Sequence, residues 1–104
     1  MAEWQTIGKD TMLAEGERMI VELDGTDVVV FKLNGSFYAL EDVCTHDGAE
    51  IASGVLEGCD IICPRHGARF CIKTGAVKSA PAYEAITTFL VQVVNGELQI
   101  KDTR

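Results

Sequence analysis

Three Asx-Gly pairs, each placed between two short apolar runs, set the strongest limit on what this chain can fold into. The pairs fall at 24–25, 34–35 and 95–96. Asp-Gly or Asn-Gly between β-branched runs is a strong signal for a β-hairpin, because both turn residues tolerate positive φ. The apolar runs predict strands at 18–23, 28–33, 36–41, 87–94 and 97–102, with two further short strands at 60–64 and 68–73. The sequence therefore predicts an all-β fold, a small antiparallel sandwich or barrel.

We expect the whole chain, residues 1–104, to form one domain, because 104 residues hold a single hydrophobic core. Helix-forming residues are numerous only at 10–19, and Gly16 interrupts that stretch. There is no internal repeat, linker or low-complexity segment. The segment from about 42 to 70 differs from the strands, since it is rich in glycine. It reads as a loop-built subdomain resting on a β scaffold.

The charge of the chain narrows the choice of partners. Sixteen acidic residues against nine Lys and Arg give a net charge of −7, which argues against DNA, RNA or an anionic membrane as a partner. No apolar run approaches the roughly 20 residues needed to span a bilayer. The first residues, MAEWQTIGKD, lack the basic and apolar regions of a secretory signal. We therefore expect a cytoplasmic protein, in which cysteines indicate metal or redox chemistry more often than disulfides.

Two short segments carry the residues that point to chemistry, DVCTHDGAE at 42–50 and CPRHGARF at 63–70. They contain both histidines of the chain and two of its four cysteines, namely Cys44, His46, Cys63 and His66. Each segment pairs one cysteine with one histidine two or three positions later, so each offers a soft thiolate and an imidazole from one loop. Two such loops can hold one centre from opposite sides.

Three interpretations of these four residues compete. The histidines could be exposed loop residues and the cysteines core thiols, although chance pairing that uses every histidine is improbable. The set could bind structural zinc as a tetrahedral Cys₂His₂ site. It could instead bind a [2Fe–2S] cluster, with two cysteines on one iron and two histidines on the other. Zinc fingers usually place cysteine with cysteine and histidine with histidine, so the mixed loops favour the iron–sulfur interpretation without excluding zinc.

The two segments, as CTHDGAEIASG and CPRHGARF, resemble the cluster-binding loops of the Rieske [2Fe–2S] family. GSFYALEDVC resembles the strand that leads into the first loop, and KTGAVKSAPAYEAI resembles the proline-containing segment after the second. FLVQVVNGELQI resembles the closing hairpin. The resemblance covers most of the chain from about residue 25 and implies the Rieske fold, with a cluster-binding subdomain at about 42–70.

The resemblance assigns a role to each of the four residues. It implies one [2Fe–2S] cluster, with Cys44 and Cys63 binding the buried iron and His46 and His66 binding the outer one. Two neutral imidazoles in place of two thiolates make such a centre less negative, so that it accepts an electron more readily than an all-cysteine cluster. Pro81 resembles the family's proline segment that shields the cluster from water.

Departures from the family pattern indicate a low reduction potential. High-potential Rieske proteins carry an extra cysteine in each loop, which form a disulfide, and the corresponding positions here hold Ala49 and Arg65. Those proteins also place a serine and a tyrosine after the second loop as hydrogen-bond donors to the cluster, where this chain has Ala68 and Phe70. Without those donors the reduced cluster is less stabilised. We expect a potential near the low end of the Rieske range of roughly −150 to +300 mV.

Low potential, small size and the lack of a membrane anchor resemble the soluble Rieske ferredoxins. That implies a one-electron carrier between a flavin-dependent NAD(P)H reductase and a terminal non-haem iron oxygenase, often a ring-hydroxylating dioxygenase of aromatic hydrocarbon catabolism. No 2-His-1-carboxylate iron site is possible once both histidines are used, so the chain has no substrate of its own and is not an enzyme. The alternatives are another redox route, such as nitrite reduction or iron–sulfur assembly, and a zinc-bound β module that mediates binding.

Six further residues have simpler explanations. We expect Cys59 and Cys71 to be small buried thiols rather than a second redox pair, because Cys71 alternates with apolar neighbours on a predicted strand. Trp4 and Tyr83 fit core or edge packing better than an electron path. Arg69, like Arg65, is expected at the surface.

Overall fold

The computed structural model describes residues 3–45, 48–65, 67–80 and 84–102. These residues form nine β-strands and one 3-10 helix. The strands, in chain order, are β1 (Trp4–Lys9), β2 (Arg18–Leu23), β3 (Thr26–Leu33), β4 (Ser36–Glu41), β5 (Val55–Glu57), β6 (Asp60–Ile62), β7 (Arg69–Cys71), β8 (Thr88–Val94) and β9 (Glu97–Lys101), and the 3-10 helix is Asp10–Met12.

The strands form two antiparallel sheets. Six strands are ordered β1-β9-β8-β4-β3-β2, and three are ordered β5-β6-β7. The β2–β3, β3–β4 and β8–β9 hairpins turn at the three Asx-Gly pairs, where both residues have positive φ, as in Asn34 (+53°) and Gly35 (+78°). Positive φ at both positions is the type I′ geometry that matches the strand twist. The all-β, antiparallel prediction is therefore confirmed.

Strand β3 forms the centre of the core because it is buried on both faces. Val28, Val29, Val30 and Phe31 are all fully buried. Val29 and Phe31 belong to the buried cluster that also contains two cysteines, while Val28 and Val30 belong to a second buried cluster. A continuous apolar run suits such a strand, and each side chain of this size contributes about 1.5–3 kcal/mol on burial.

The three-stranded sheet forms a second layer that presents one apolar row to the first. Leu56, Ile61 and Phe70 lie opposite one another across β5, β6 and β7. Ile61 and Phe70 are fully buried against Phe31 of the large sheet. The opposite face carries Val55, which is 65% exposed. The alternation of inward apolar and outward exposed side chains is what a half-buried sheet requires.

Two strands were not predicted from the sequence, and two are shorter than expected. β1 was missed because its side chains are mostly exposed, and Trp4 at its start packs at the sheet edge under the Lys101 ammonium. β5 has only three residues. β6 ends at Ile62 and β7 at Cys71, because the next residues turn into loops. Within the described parts of the chain, no helix is long and apolar enough to cross a membrane.

Candidate metal centre

Cys44 lies three residues beyond the end of β4, in a tight loop closed by two backbone hydrogen bonds. Its N–H donates to the carbonyl of Ala49 at 2.6 Å, and its own carbonyl accepts from the N–H of Gly48 at 2.7 Å. Gly48 has φ of +78°, which glycine adopts without steric cost. The loop directs the Cys44 side chain inward, where the residue is fully buried.

Cys63 lies directly after β6 in a loop with the same hydrogen-bond pattern. Its N–H donates to the carbonyl of Ala68 at 2.7 Å, and Gly67 donates to the Cys63 carbonyl at 3.0 Å. Gly67 has φ of +76°, and Cys63 is 1% exposed. The described residues of the two candidate ligand loops therefore share one hydrogen-bond pattern, although the loops differ in sequence at the positions between cysteine and glycine.

Both cysteines belong to one buried cluster, which includes Phe31, Ile51 and Phe70. Neither forms a disulfide. Buried cysteine side chains are soft ligands, which suit zinc or an iron–sulfur cluster. Two soft donors at the inner ends of two matched loops therefore fit the thiolate side of the predicted cluster.

The two histidine positions lie outside the described residues, as do Pro81 and Tyr83. The described loop residues Gly48, Arg65 and Gly67 are exposed. Because two of the four predicted ligands fall outside the described ranges, no group of three or more His, Cys, Asp or Glu side chains converges within those ranges. Two buried thiols and exposed loop residues fit a cluster with one iron inside and one facing solvent.

A third loop repeats the backbone geometry of the first two. The N–H of Cys71 donates to the carbonyl of Ala76 at 2.9 Å, and Gly75, with φ of +76°, donates to the Cys71 carbonyl at 2.7 Å. All three loops have the sequence Cys-x-x-x-Gly-Ala, at 44–49, 63–68 and 71–76. This short repeat, which an alignment of the three cysteines reveals, contradicts the expectation that the chain has no internal repeat.

The two remaining cysteines are partly exposed, so the expectation that both are buried thiols is wrong. Cys59 occupies the β5–β6 turn after Gly58, and Cys71, the last residue of β7, lies partly exposed between the buried Phe70 and Ile72. Partial burial opposes ionisation of Cys71. It is outweighed by hydrogen bonds from the Thr74 hydroxyl and from backbone N–H groups and by Lys78, so the pKa of Cys71 lies below its usual 9.0.

The positions that lack hydrogen-bond donors are both part of the core. Ala68 and Phe70 are fully buried in the cluster that contains the two cysteines. Neither side chain has a hydrogen-bond donor to offer an iron–sulfur cluster held by those cysteines, which agrees with a low reduction potential. Arg69, between them, points outward and contacts Glu57 at 2.6 Å and Asp60 at 3.6 Å. Its charge is therefore compensated by its own sheet.

The segment at 84–87, just before β8, contacts the first loop and the end of β4. The Thr45 hydroxyl donates to the carbonyl of Glu84 at 2.6 Å, and the N–H of Glu41 donates to the carbonyl of Thr87 at 2.9 Å. These contacts attach the segment before β8 to the end of β4 and to the first loop. The loop is therefore supported from within and from the flank.

Comparison with known proteins identifies the family. Residues 3–90 match the family model described as the Rieske [2Fe-2S] domain. The chain is 34% identical over 88 residues to the ferredoxin component of the naphthalene 1,2-dioxygenase system of Pseudomonas putida, covering 85% of each chain. It is 37% identical over 87 residues to the 3-phenylpropionate/cinnamic acid dioxygenase ferredoxin subunit of Escherichia coli K12, covering 83% of this chain and 81% of the relative.

A solved structure agrees with the sequence comparison. The chain superposes with a TM-score of 0.87 and 33% identity on a chain of the complex of reduced oxygenase and oxidised ferredoxin in carbazole 1,9a-dioxygenase. The match covers 93% of this chain and 91% of that one. The zinc interpretation is thus not favoured, and the cofactor is one [2Fe–2S] cluster of the Rieske type, which supplies one-electron redox chemistry when bound. The chain belongs to the Rieske [2Fe–2S] family, as an electron-transfer protein rather than an enzyme.

Proposed function

We propose that this chain carries single electrons from a flavin-dependent NAD(P)H reductase to a terminal non-haem iron oxygenase. The names of its relatives carry the proposal, because they are ferredoxin components of naphthalene and phenylpropionate dioxygenase systems. The carbazole dioxygenase structure holds a ferredoxin together with its oxygenase, which supports a direct and transient protein contact. These names favour an oxygenase route over nitrite reduction or cluster assembly, with an aromatic compound as the substrate of the whole system.

The ligand set of this proposal is Cys44, Cys63, His46 and His66. Support comes from the matched loops that bury both thiols, and from the exposure of Gly67 beside the second histidine. Cys44 and Cys63 would hold the cluster from the buried side, and His46 and His66 would hold it from the side that a partner protein can approach. The bound cluster would supply one-electron redox chemistry toward that exposed side, because the thiolates carry negative charge and the imidazoles do not.

The setting of the proposal is a single domain, residues 1–104, that works in the cytoplasm. NAD(P)H-dependent reductases operate there, and reduced thiols persist there. The acidic surface suits a basic patch on one of the two partners, because complementary charge accelerates transient encounters.

Reduction by a relative's reductase tests the function. The loaded protein is mixed anaerobically with NADH and a catalytic amount of the flavin-dependent reductase of a naphthalene dioxygenase system. The visible bands should bleach by one electron per cluster. They should recover when the substrate-bound terminal oxygenase of that system is added in its oxidised form and in excess over the NADH. A protein that dithionite bleaches but NADH with reductase does not would contradict the proposed route.

Substitution of a histidine tests the ligand set. The variant His66→Ala should fold without a Rieske cluster, because one iron loses a ligand. Electron paramagnetic resonance of the dithionite-reduced variant should lack the wild-type Rieske signal, while far-UV circular dichroism remains that of a β protein. An unaltered signal in this variant would remove His66 from the ligand set.

A further inference from the structure

We propose that Arg18 is a positioning residue that fixes the spacing between the two cysteine loops. The inference rests on the proposed function, since it concerns how the chain holds the cluster of an electron carrier. Arg18 lies on β2, an edge strand of the six-stranded sheet. Its Nη1 nonetheless reaches the turn at 51–54, which lies between the two cysteine loops in the chain, and donates to the carbonyls of Ala52 at 2.9 Å and Gly54 at 2.6 Å.

The turn at 51–54 connects the two loops, so its position affects both. It begins two residues after Ala49, whose carbonyl accepts the N–H of Cys44. It ends at Gly54, which packs so closely on the carbonyl of Ile62 that a Cβ there would lie only 2.0 Å from the oxygen. Ile62 directly precedes Cys63. A shift of this turn therefore reaches the backbone beside each buried thiol.

Asp42 and Arg18 both bind the turn at 51–54, Asp42 through backbone N–H groups and Arg18 through backbone carbonyls. The Asp42 carboxylate accepts from the N–H groups of Ile51 at 2.8 Å and Ala52 at 2.9 Å, whereas Arg18 donates to two carbonyls. Charge-assisted hydrogen bonds are about twice as strong as neutral ones. With an anion on the amides and a cation on the carbonyls, the turn has little freedom to move.

Arg18 is itself fixed by stacking. Its guanidinium carbon lies 5.4 Å from the centroid of the Phe31 ring, within the range of a cation–π contact. Phe31 is fully buried in the cluster that contains Cys44 and Cys63. The guanidinium therefore links Phe31, in the buried cluster of Cys44 and Cys63, to the turn at 51–54. A planar head group with several donors can make both contacts at once.

The chain offers a matched control for a test of Arg18. The ammonium of Lys32 also lies 5.4 Å over an aromatic ring, that of Phe37, but Phe37 packs against the second buried cluster rather than the cysteine cluster. Arg18→Met and Lys32→Met each remove one cation over one ring. Arg18→Lys restores the charge and a donor, but on a shorter head group.

Three measurements on the loaded proteins carry the test: iron release to excess chelator, the electron paramagnetic resonance spectrum of the reduced cluster, and amide exchange of Ile51 and Ala52. Arg18→Met removes two charge-assisted hydrogen bonds, each worth about a tenfold change, so it should release iron at least about tenfold faster than Lys32→Met. Its g-values should shift and its two turn amides should exchange faster. Arg18→Lys should recover part of each change.

The opposite results overturn the inference. Arg18→Met with the release rate and g-values of Lys32→Met would show that Arg18 does not position the cluster. Arg18→Lys as impaired as Arg18→Met would show that a cation and a donor on this stem do not hold the turn, which also overturns the inference. Should Arg18→Met not fold, Arg18→Lys is compared with Lys32→Arg: faster iron release supports the inference and equal release overturns it. Either failure leaves the wild-type Rieske spectrum intact, whereas its absence would refute the proposed function itself.

Discussion

Gly54 occupies the tightest backbone contact between the turn at 51–54 and strand β6, and adding one methyl group there should damage the cluster-binding layer. A Cβ at this position would lie 2.0 Å from the carbonyl oxygen of Ile62 and 3.0 Å from that of Ile51. Both oxygens belong to the backbone, so no flexible side chain can move aside. Reaching an ordinary contact of 3.4 Å requires Ile62 or the turn to shift by about 1.4 Å.

The loss of stability caused by that shift depends on the strand pairs that Ile62 makes. Ile62 pairs with Val55 on one side and with Arg69 on the other. Loss of one ladder hydrogen bond on each side of Ile62 costs about 2 kcal/mol together, and overpacking of a tight site costs about 1–3 kcal/mol. We expect Gly54→Ala to lower the free energy of unfolding by about 3–5 kcal/mol, a large part of the roughly 5–15 kcal/mol of a typical domain.

Gly58→Ala provides the comparison, because it introduces backbone strain without a clash. Gly58 has φ of +62°, and a Cβ there would meet nothing within 4 Å. Its substitution should cost about 1–2 kcal/mol. Denaturant unfolding of the loaded proteins, followed by circular dichroism and by visible absorption, measures both variants. Gly54→Ala within about 1 kcal/mol of Gly58→Ala would refute the close-contact reasoning.

Three further predictions concern the cluster environment, the third loop and the scaffold. Ala68→Ser with Phe70→Tyr should raise the midpoint potential by on the order of tens of millivolts, because each hydroxyl stabilises the reduced cluster, and an unmoved potential in redox titration contradicts this. Cys71→Ser should keep the cluster. In the wild type, Cys71 should be alkylated at lower pH than an ordinary thiol, since its thiolate forms at lower pH; a rate that rises only near pH 9 by peptide mass spectrometry counts against it. The carboxylate of Glu15 accepts two amides of the β3–β4 turn, which lowers its pKa from 4.5. Glu15→Gln should therefore destabilise the protein above about pH 4.5, and the difference from wild type should fade as the pH falls through the lowered pKa; a constant difference in urea unfolding argues against the carboxylate.

The sequence predicted those parts of the fold that local chemistry determines. The strands next to Asx-Gly turns were placed within two residues at each end, because turn geometry sets their register. β1 and β5 were missed, because an exposed edge strand and a three-residue strand bury too little apolar surface to leave a pattern.

The candidate site was predictable in part for a related reason. The Cys-His spacing within each loop is local, so Cys44 and Cys63 could be singled out from sequence. The support for the loops is not local: Arg18 reaches Gly54 across 36 positions, and Thr45 reaches Glu84 across 39. Such contacts depend on how the sheets pack, and no short pattern encodes them.

An anaerobic redox titration of the purified protein, followed by visible absorption, is the most direct test of one-electron transfer at a low-potential Rieske centre. The visible bands should bleach with a single-electron dependence, at a midpoint near the low end of the roughly −150 to +300 mV range. A midpoint well above zero would contradict the low-potential assignment and remove the basis for an oxygenase route. A colourless protein with no titratable band would contradict the cluster itself.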